Sequence, residues 1–136
     1  MTTQTPAQRH MRETSVDEAL ALLRTAVIGR LIFSRGTEPR VLPLNFVVHQ
    51  GAVVFRTSYG ELLDHVHLSD VIFEVDHADP ETQTGWSVIV TGRAEEIWRS
   101  DDLEIMRELP LRPWAPGERD HFIRIVSTRI TGRIIE

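Results

Sequence analysis

The sequence contains no cysteine. That excludes disulfides, zinc–thiolate sites, iron–sulfur clusters and a thiol nucleophile, so stability must come from burial. It contains no lysine either, and all 15 basic residues are arginine. A lysine Schiff base and a lysine-dependent phosphate loop are excluded with it. Any bound anion must then be held by arginine, hydroxyls, backbone N–H groups or a helix N-terminus. There is no apolar run long enough to span a membrane, and residues 1–12 are polar rather than a signal peptide. The expectation is a cytoplasmic protein with no membrane partner. Basic charge is also the minority sign: 20 acidic residues give a net charge of −5, which argues against a nucleic-acid partner. A Gly-x-Ser-x-Gly elbow and a His-Glu-x-x-His pattern are both missing, which speaks against a serine hydrolase and a zinc protease.

What remains is ordinary for a globular domain. The chain has 136 residues, 41% hydrophobic and 26% charged, enough for one domain with a real core. Residues 1–13 are polar and aperiodic and read as a loose arm, and 14–136 read as a single domain. Ser15 and Glu18 fit a capping box. Val16, Ala19, Leu20, Leu23 and Val27 follow at helical spacing, so a helix is expected over 15–27 with Gly29 as its stop.

The period then shortens. Leu31–Phe33 reads as a strand, 34–39 as a turn, and Val41–His49 as a strand interrupted by Pro43, which marks an edge or a bulge. Gln50-Gly51 is a hairpin turn and Ala52–Thr57 the next strand. A short helix carrying Leu62, Leu63 and Val66 opens after Ser58-Tyr59-Gly60. Val71–Asp76 is a strand and 77–85 a loop. Trp86–Glu96 is the longest strand, with Trp86, Val88, Val90, Gly92 and Ala94 on one face. Residues 101–109 look helical, and 110–117, with three prolines and Trp114, form a rigid loop. Phe122–Val126 and Ile130–Ile135 close the fold as one strand or two. Strands joined mostly by short connections favour an antiparallel barrel.

Several blocks carry a resemblance. Pro43-Leu44-Asn45-Phe46, Phe55-Arg56-Thr57 with Gly60, Phe73-Glu74-Val75-Asp76 and Gly85-Trp86-Ser87-Val88 resemble, in order and separation, the pyridoxamine 5′-phosphate oxidase-like FMN-binding split barrels. Trp114-Ala115-Pro116-Gly117, Ile123-Arg124-Ile125 and Thr131-Gly132-Arg133 resemble the end of short actinobacterial members, so the likeness spans about residues 15–135. It implies a mainly β fold, a six-stranded antiparallel split β-barrel, and a homodimer with FMN at its interface. It also implies that Pro43, Leu44 and Asn45 run along the isoalloxazine ring. Arg56, Thr57 and Ser58 would then meet the phosphate, and Leu62, Trp86 and Ser87 would line the pocket. The implied activity is a flavin-dependent oxidoreductase with a small-molecule substrate. The alternative is a binding module that holds a flavin, a deazaflavin or a tetrapyrrole such as haem without turnover. Two departures stand out. Glu61 occupies a position where the family usually has a basic residue, and a carboxylate there repels phosphate unless it points into solvent. The longer Arg- and His-containing substrate tail of genuine pyridoxamine phosphate oxidases does not follow, so the resemblance implies the flavin site rather than that substrate.

The chemistry is consistent without the resemblance. A phosphate of charge about −2 needs a fork of donors, which arginine and hydroxyls supply. Each residue also has a plainer reading. Arg56 could pair with an acid on a strand surface, Trp86 could be core, and Asn45 could satisfy a bulge beside Pro43. Trp98 and Trp114 read as packing or dimer contacts. His65 and His67 lie two apart on a helix and do not share a face, so no metal site is expected. Glu74 and Asp76 read as a solvated face or an arginine partner. No catalytic residue can be named.

Overall fold

The computed structural model describes residues 8–58 and 61–136, with Glu61 described by its backbone alone. Among the described residues eight strands and three helices follow in the order β1 (Met11–Glu13), α1 (Val16–Leu23), β2 (Ile28–Arg35), β3 (Glu38–Asn45), β4 (Val47–His49), β5 (Ala52–Thr57), α2 (Glu61–Val66), β6 (Asp70–Asp79), β7 (Thr84–Ile97), α3 (Ser100–Arg107) and β8 (His121–Ile135). All the strands join one antiparallel sheet in the order β3-β2-β6-β7-β8-β5-β4, with β1 added alongside β8. The two ends of that path, β3 and β4, are consecutive in the chain and meet at Phe46. The sheet therefore curls round on itself into a split barrel. The expected six strands become eight because the second, expected over Val41–His49, is interrupted at Phe46 and β1 is an addition. Joining β3 to β4 and setting β1 aside restores six.

The core follows from the alternation. Along β7 the side chains of Val88, Val90 and Ala94 are buried, and so are Val71, Phe73 and Val75 on β6. Phe46 caps this interior, its ring edge-on to Phe73 at 5.0 Å between centroids. On α1, Ala19 and Leu23 pack into the same cluster. A second, smaller cluster of Val54, Ile97, Met106, Leu111 and Phe122 lies under α3 and the segment after it. Together these clusters bury 21 apolar residues, each worth roughly 1.5–3 kcal/mol for a large side chain. No helix among the described residues is long and apolar enough to cross a membrane.

Several boundaries differ from the sequence reading. Helix α1 stops at Leu23, four residues early, and the Thr25 hydroxyl donates to the Leu22 carbonyl there (2.7 Å). Gly29 is not its stop: it lies inside β2, where an added Cβ would overlap the Phe73 ring. Its role is close approach of a strand to an aromatic core. The break after β3 falls at Phe46 rather than at Pro43, which is tolerated because β3 is bonded only to β2. Residues 77–79 and 84–85 extend β6 and β7 into a long hairpin. The closing strand is continuous, with one register shift where Thr91 faces Arg129 and Gly92 faces Ser127. Thr128 is the extra residue of this bulge, and its hydroxyl donates to the Thr91 carbonyl (3.2 Å).

The stretch read as a loose arm ends in a strand. Arg12 on β1 bonds both Glu18 (2.7 Å) and Glu136 (2.6 Å), which ties the chain's start to α1 and to the end of β8. Residues 1–7 lie outside the described residues. The capping box forms by half: the Glu18 N–H donates to Ser15 Oγ (3.1 Å), while the Glu18 carboxylate turns to Arg12. That contact holds Glu18 below the ordinary carboxylate range.

Candidate functional site

At the end of the barrel where β3 and β5 come together, the chain leaves a cleft of about 270 Å³. Pro43, Leu44 and Asn45 of β3, Arg56 and Thr57 of β5 and Leu62 of α2 all line it. The structure thus brings together six residues that the sequence had grouped across twenty positions. The strand edge supplies an apolar wall, and β5 supplies a guanidinium at its end. Ser58 follows Thr57 directly; it is exposed, and its carbonyl accepts the Thr57 hydroxyl (3.2 Å). Gly60 and the Glu61 side chain, on which the phosphate expectation also rested, lie outside the described residues.

Arg56 is held in place by the segment that follows α3. Its Nε donates to the Arg119 carbonyl (2.8 Å) and its Nη1 to the Leu111 carbonyl (3.3 Å). The guanidinium also lies over the Phe122 ring, 4.9 Å from its centroid. No carboxylate pairs with it among the described residues. A guanidinium has five N–H donors, so the group is oriented by two and keeps donors to spare. This corrects the acid-paired reading of Arg56.

Asn45 is also more than a bulge filler. Its Nδ2 donates to the Val27 carbonyl (3.2 Å), and its Oδ1 accepts the Trp114 N–H (2.8 Å). The side chain therefore pins the proline-rich segment to the strand edge. Through this bond Pro113, Trp114 and Ala115 form the facing wall of the cleft, joined by Arg119. Trp114 is 70% exposed, so it is a cleft wall within this chain rather than core packing. Sequence reading missed this wall because its residues lie more than fifty positions from Arg56. The pairing of a rigid proline segment with an unburied Trp was the available signal. Among the described lining residues there are two arginines and no carboxylate.

Trp86 and Ser87 are not in this cleft. They line a second, larger hollow of about 520 Å³ with Met11, His77 and Arg133 at the β6–β7 hairpin. Trp86 also packs partly against the main core. Within one chain, then, the site residues expected to surround one ligand fall in two places.

The outward face of β2, β6, β7 and β8 is uncovered. Ile72 and Ile89 are 37% and 41% exposed there. Arg30 reaches from β2 to Glu74 and Asp76, both at 3.1 Å, which makes that acidic pair an arginine partner, as its strand position suggested. Burial, and then the Asp76 carboxylate beside it, push Glu74 above the ordinary carboxylate range, with Arg30 pulling the other way. Elsewhere, the His67 Nδ1 accepts the Glu96 N–H (3.2 Å).

Comparison with known proteins agrees with this fold. The model of a family described as pyridoxamine 5′-phosphate oxidase matches residues 15–134. The uncharacterized protein Rv0080 of Mycobacterium tuberculosis is 34% identical over 131 residues, covering 91% of this chain and 85% of that one. The solved structure of the FAD binding protein from Mycobacterium smegmatis is 35% identical, with a TM-score of 0.78 over 90% of this chain and 98% of that one. A FAD-binding protein from Mesorhizobium loti, 22% identical, shares the fold with a TM-score of 0.77 over 95% and 99% of the two chains.

Proposed function

The chain belongs to the pyridoxamine 5′-phosphate oxidase family, and from that premise we propose that its cleft binds the FMN portion of a flavin, as FMN itself or as half of a dinucleotide. We infer further that the protein is a cytoplasmic, homodimeric flavin-dependent oxidoreductase acting on a small molecule. One observation carries the reading. An apolar strand edge on β3 and an oriented arginine on β5 line one cleft, whose described lining holds two arginines and no carboxylate. A ring that needs an apolar slot and a phosphate that needs a donor fork match those two features.

Each residue has a part in this reading. Pro43 and Leu44 offer the ring a dry surface. Asn45 fixes Trp114 against the opposite side. Arg56 keeps its free donors for the phosphate, with Thr57 and Ser58 beside it. A flavin held there supplies two-electron chemistry. Within one chain no His, Tyr or carboxylate lines the described cleft, so what this half of the site contributes is orientation and exclusion of water.

The dimer follows from what one chain leaves open. A cleft of about 270 Å³ is at the lower limit for a drug-sized ligand. Twofold pairing through the face that exposes Ile72 and Ile89 would cover apolar surface. It would also let the hollow holding Trp86 and Ser87 complete the cleft of the other protomer. The test is a titration with FMN, FAD and riboflavin followed by flavin fluorescence, then turnover with a reduced nicotinamide. Saturable binding of any flavin at one site per chain supports the reading. Failure of all three to bind refutes it, and binding without turnover with any donor leaves a carrier.

A further inference from the structure

Arg56 lines a second cavity. It is an open hollow of about 560 Å³, lined by Arg56, Arg107 and Arg112, by Glu108 and by residues 109–111. Arg56 is the one described residue that this hollow shares with the cleft. Three arginines against one glutamate leave an excess positive charge of two there, on a chain whose net charge is −5. Neither Arg107 nor Arg112 has an ion-pair partner among the described residues.

The hollow is built rather than incidental. Its floor is Leu111, 3% exposed and part of the smaller core cluster. The Leu111 carbonyl accepts Arg56 (3.3 Å), and the Leu111 N–H closes a tight turn on the Leu109 carbonyl (2.7 Å). Pro110 and Pro113 stiffen the segment further. Arg107, in the last turn of α3, stands where a cation is favoured.

A phosphate bound at Arg56 would sit at the junction of an apolar slot and a basic hollow. FMN uses only the first. We propose that the Arg107–Arg112 hollow takes the second phosphate and nucleoside end of a dinucleotide flavin, so that FAD is the preferred ligand. This rests on the flavin reading above and extends it by naming the ligand's length and the residues that select it.

The experiment compares riboflavin, FMN and FAD on the intact protein and on the double variant Arg107→Gln/Arg112→Gln, at low and at physiological salt. Exposed guanidinium–phosphate contacts are individually modest and screened. FAD should therefore bind the wild type about tenfold tighter than FMN at low salt, and less so as salt rises. The double variant should lose that preference while keeping its FMN and riboflavin affinities, with a melting temperature lower by no more than about 4 °C for the charge removed from the end of α3. Equal binding of FAD and FMN to the wild type, or a FAD preference that survives in the variant, overturns the inference and leaves the flavin cleft standing. Absence of binding by all three ligands overturns both.

Discussion

Replacing Arg56 by alanine separates two jobs that the structure gives one side chain. The guanidinium anchors the segment after α3 through the Arg119 and Leu111 carbonyls (2.8 and 3.3 Å) and rests on Phe122. Its remaining donors are free of protein partners among the described residues, in a side chain that lines the cleft. Loss of two partly buried bonds and a cation–π contact should cost about 2 kcal/mol of stability, since each bond nets about 1 kcal/mol and water can reach the freed carbonyls. At roughly 4 °C per kcal/mol for a chain of this size, the melting temperature should fall by about 8 °C. Loss of a charge-assisted bond to phosphate should weaken FMN by about 10- to 150-fold. Riboflavin lacks the phosphate and should change by less than about threefold. Arg56→Lys should restore part of the FMN affinity but little of the stability, because one ammonium cannot reproduce the fork that spans both carbonyls. Calorimetric titration of both ligands, with a melting curve for each variant, provides the numbers. Equal loss for FMN and riboflavin would refute the reasoning: Arg56 would then act only through the loop that it anchors.

Asn45→Ala should cost about 1–2 kcal/mol and weaken every flavin alike, because it frees the Trp114 wall rather than touching the phosphate; a phosphate-selective loss would contradict this. Gly29→Ala should destabilise by about 1–3 kcal/mol through overlap with Phe73, whereas Gly36→Ala, in open space, should lose only the smaller cost of its positive φ, as denaturant melts would show. Glu74 has a folded-state pKa above its unfolded one, so its contribution to stability is full at low pH and fades as pH rises past the ordinary glutamate range of about 4.3. Glu74→Gln should therefore match wild type near pH 4 and exceed it at pH 7, by less than about 1 kcal/mol because the group is partly solvated; a lower stability at pH 7 would mean that the Arg30 contact outweighs the repulsion. Ile72→Arg with Ile89→Arg should yield monomers in light scattering and weaken flavin binding with them, while an unchanged dimer would place the interface elsewhere.

Much of the barrel was legible because its signals are local. Gln50-Gly51 announces a hairpin, and both residues take positive φ, 49° and 76°. Ala52–Thr57 and the buried alternation of β7 follow from composition and period. Where the reading failed, the cause lay across the fold. Gly29 looks like a helix stop, yet it is set by an aromatic ring more than forty residues away. The break falls at Phe46, whose ring packs against Phe73 across the fold, and not at the nearby proline. Half of the cleft was readable from the strand blocks around Pro43 and Arg56. The facing wall was not, because the Asn45–Trp114 bond joins residues 69 apart. Trp86 and Ser87 belong to a separate hollow in one chain, a distinction that no strand pattern encodes.

Native mass spectrometry of the protein purified from cells under non-denaturing conditions tests the central claim most directly, since one spectrum reads both assembly and ligand. The expected species is twice the 15.6 kDa chain plus two flavin masses, those of FAD if the basic hollow is used and of FMN if it is not. A species of one chain, or a dimer that carries no flavin and takes none up when FMN and FAD are added, would contradict the account.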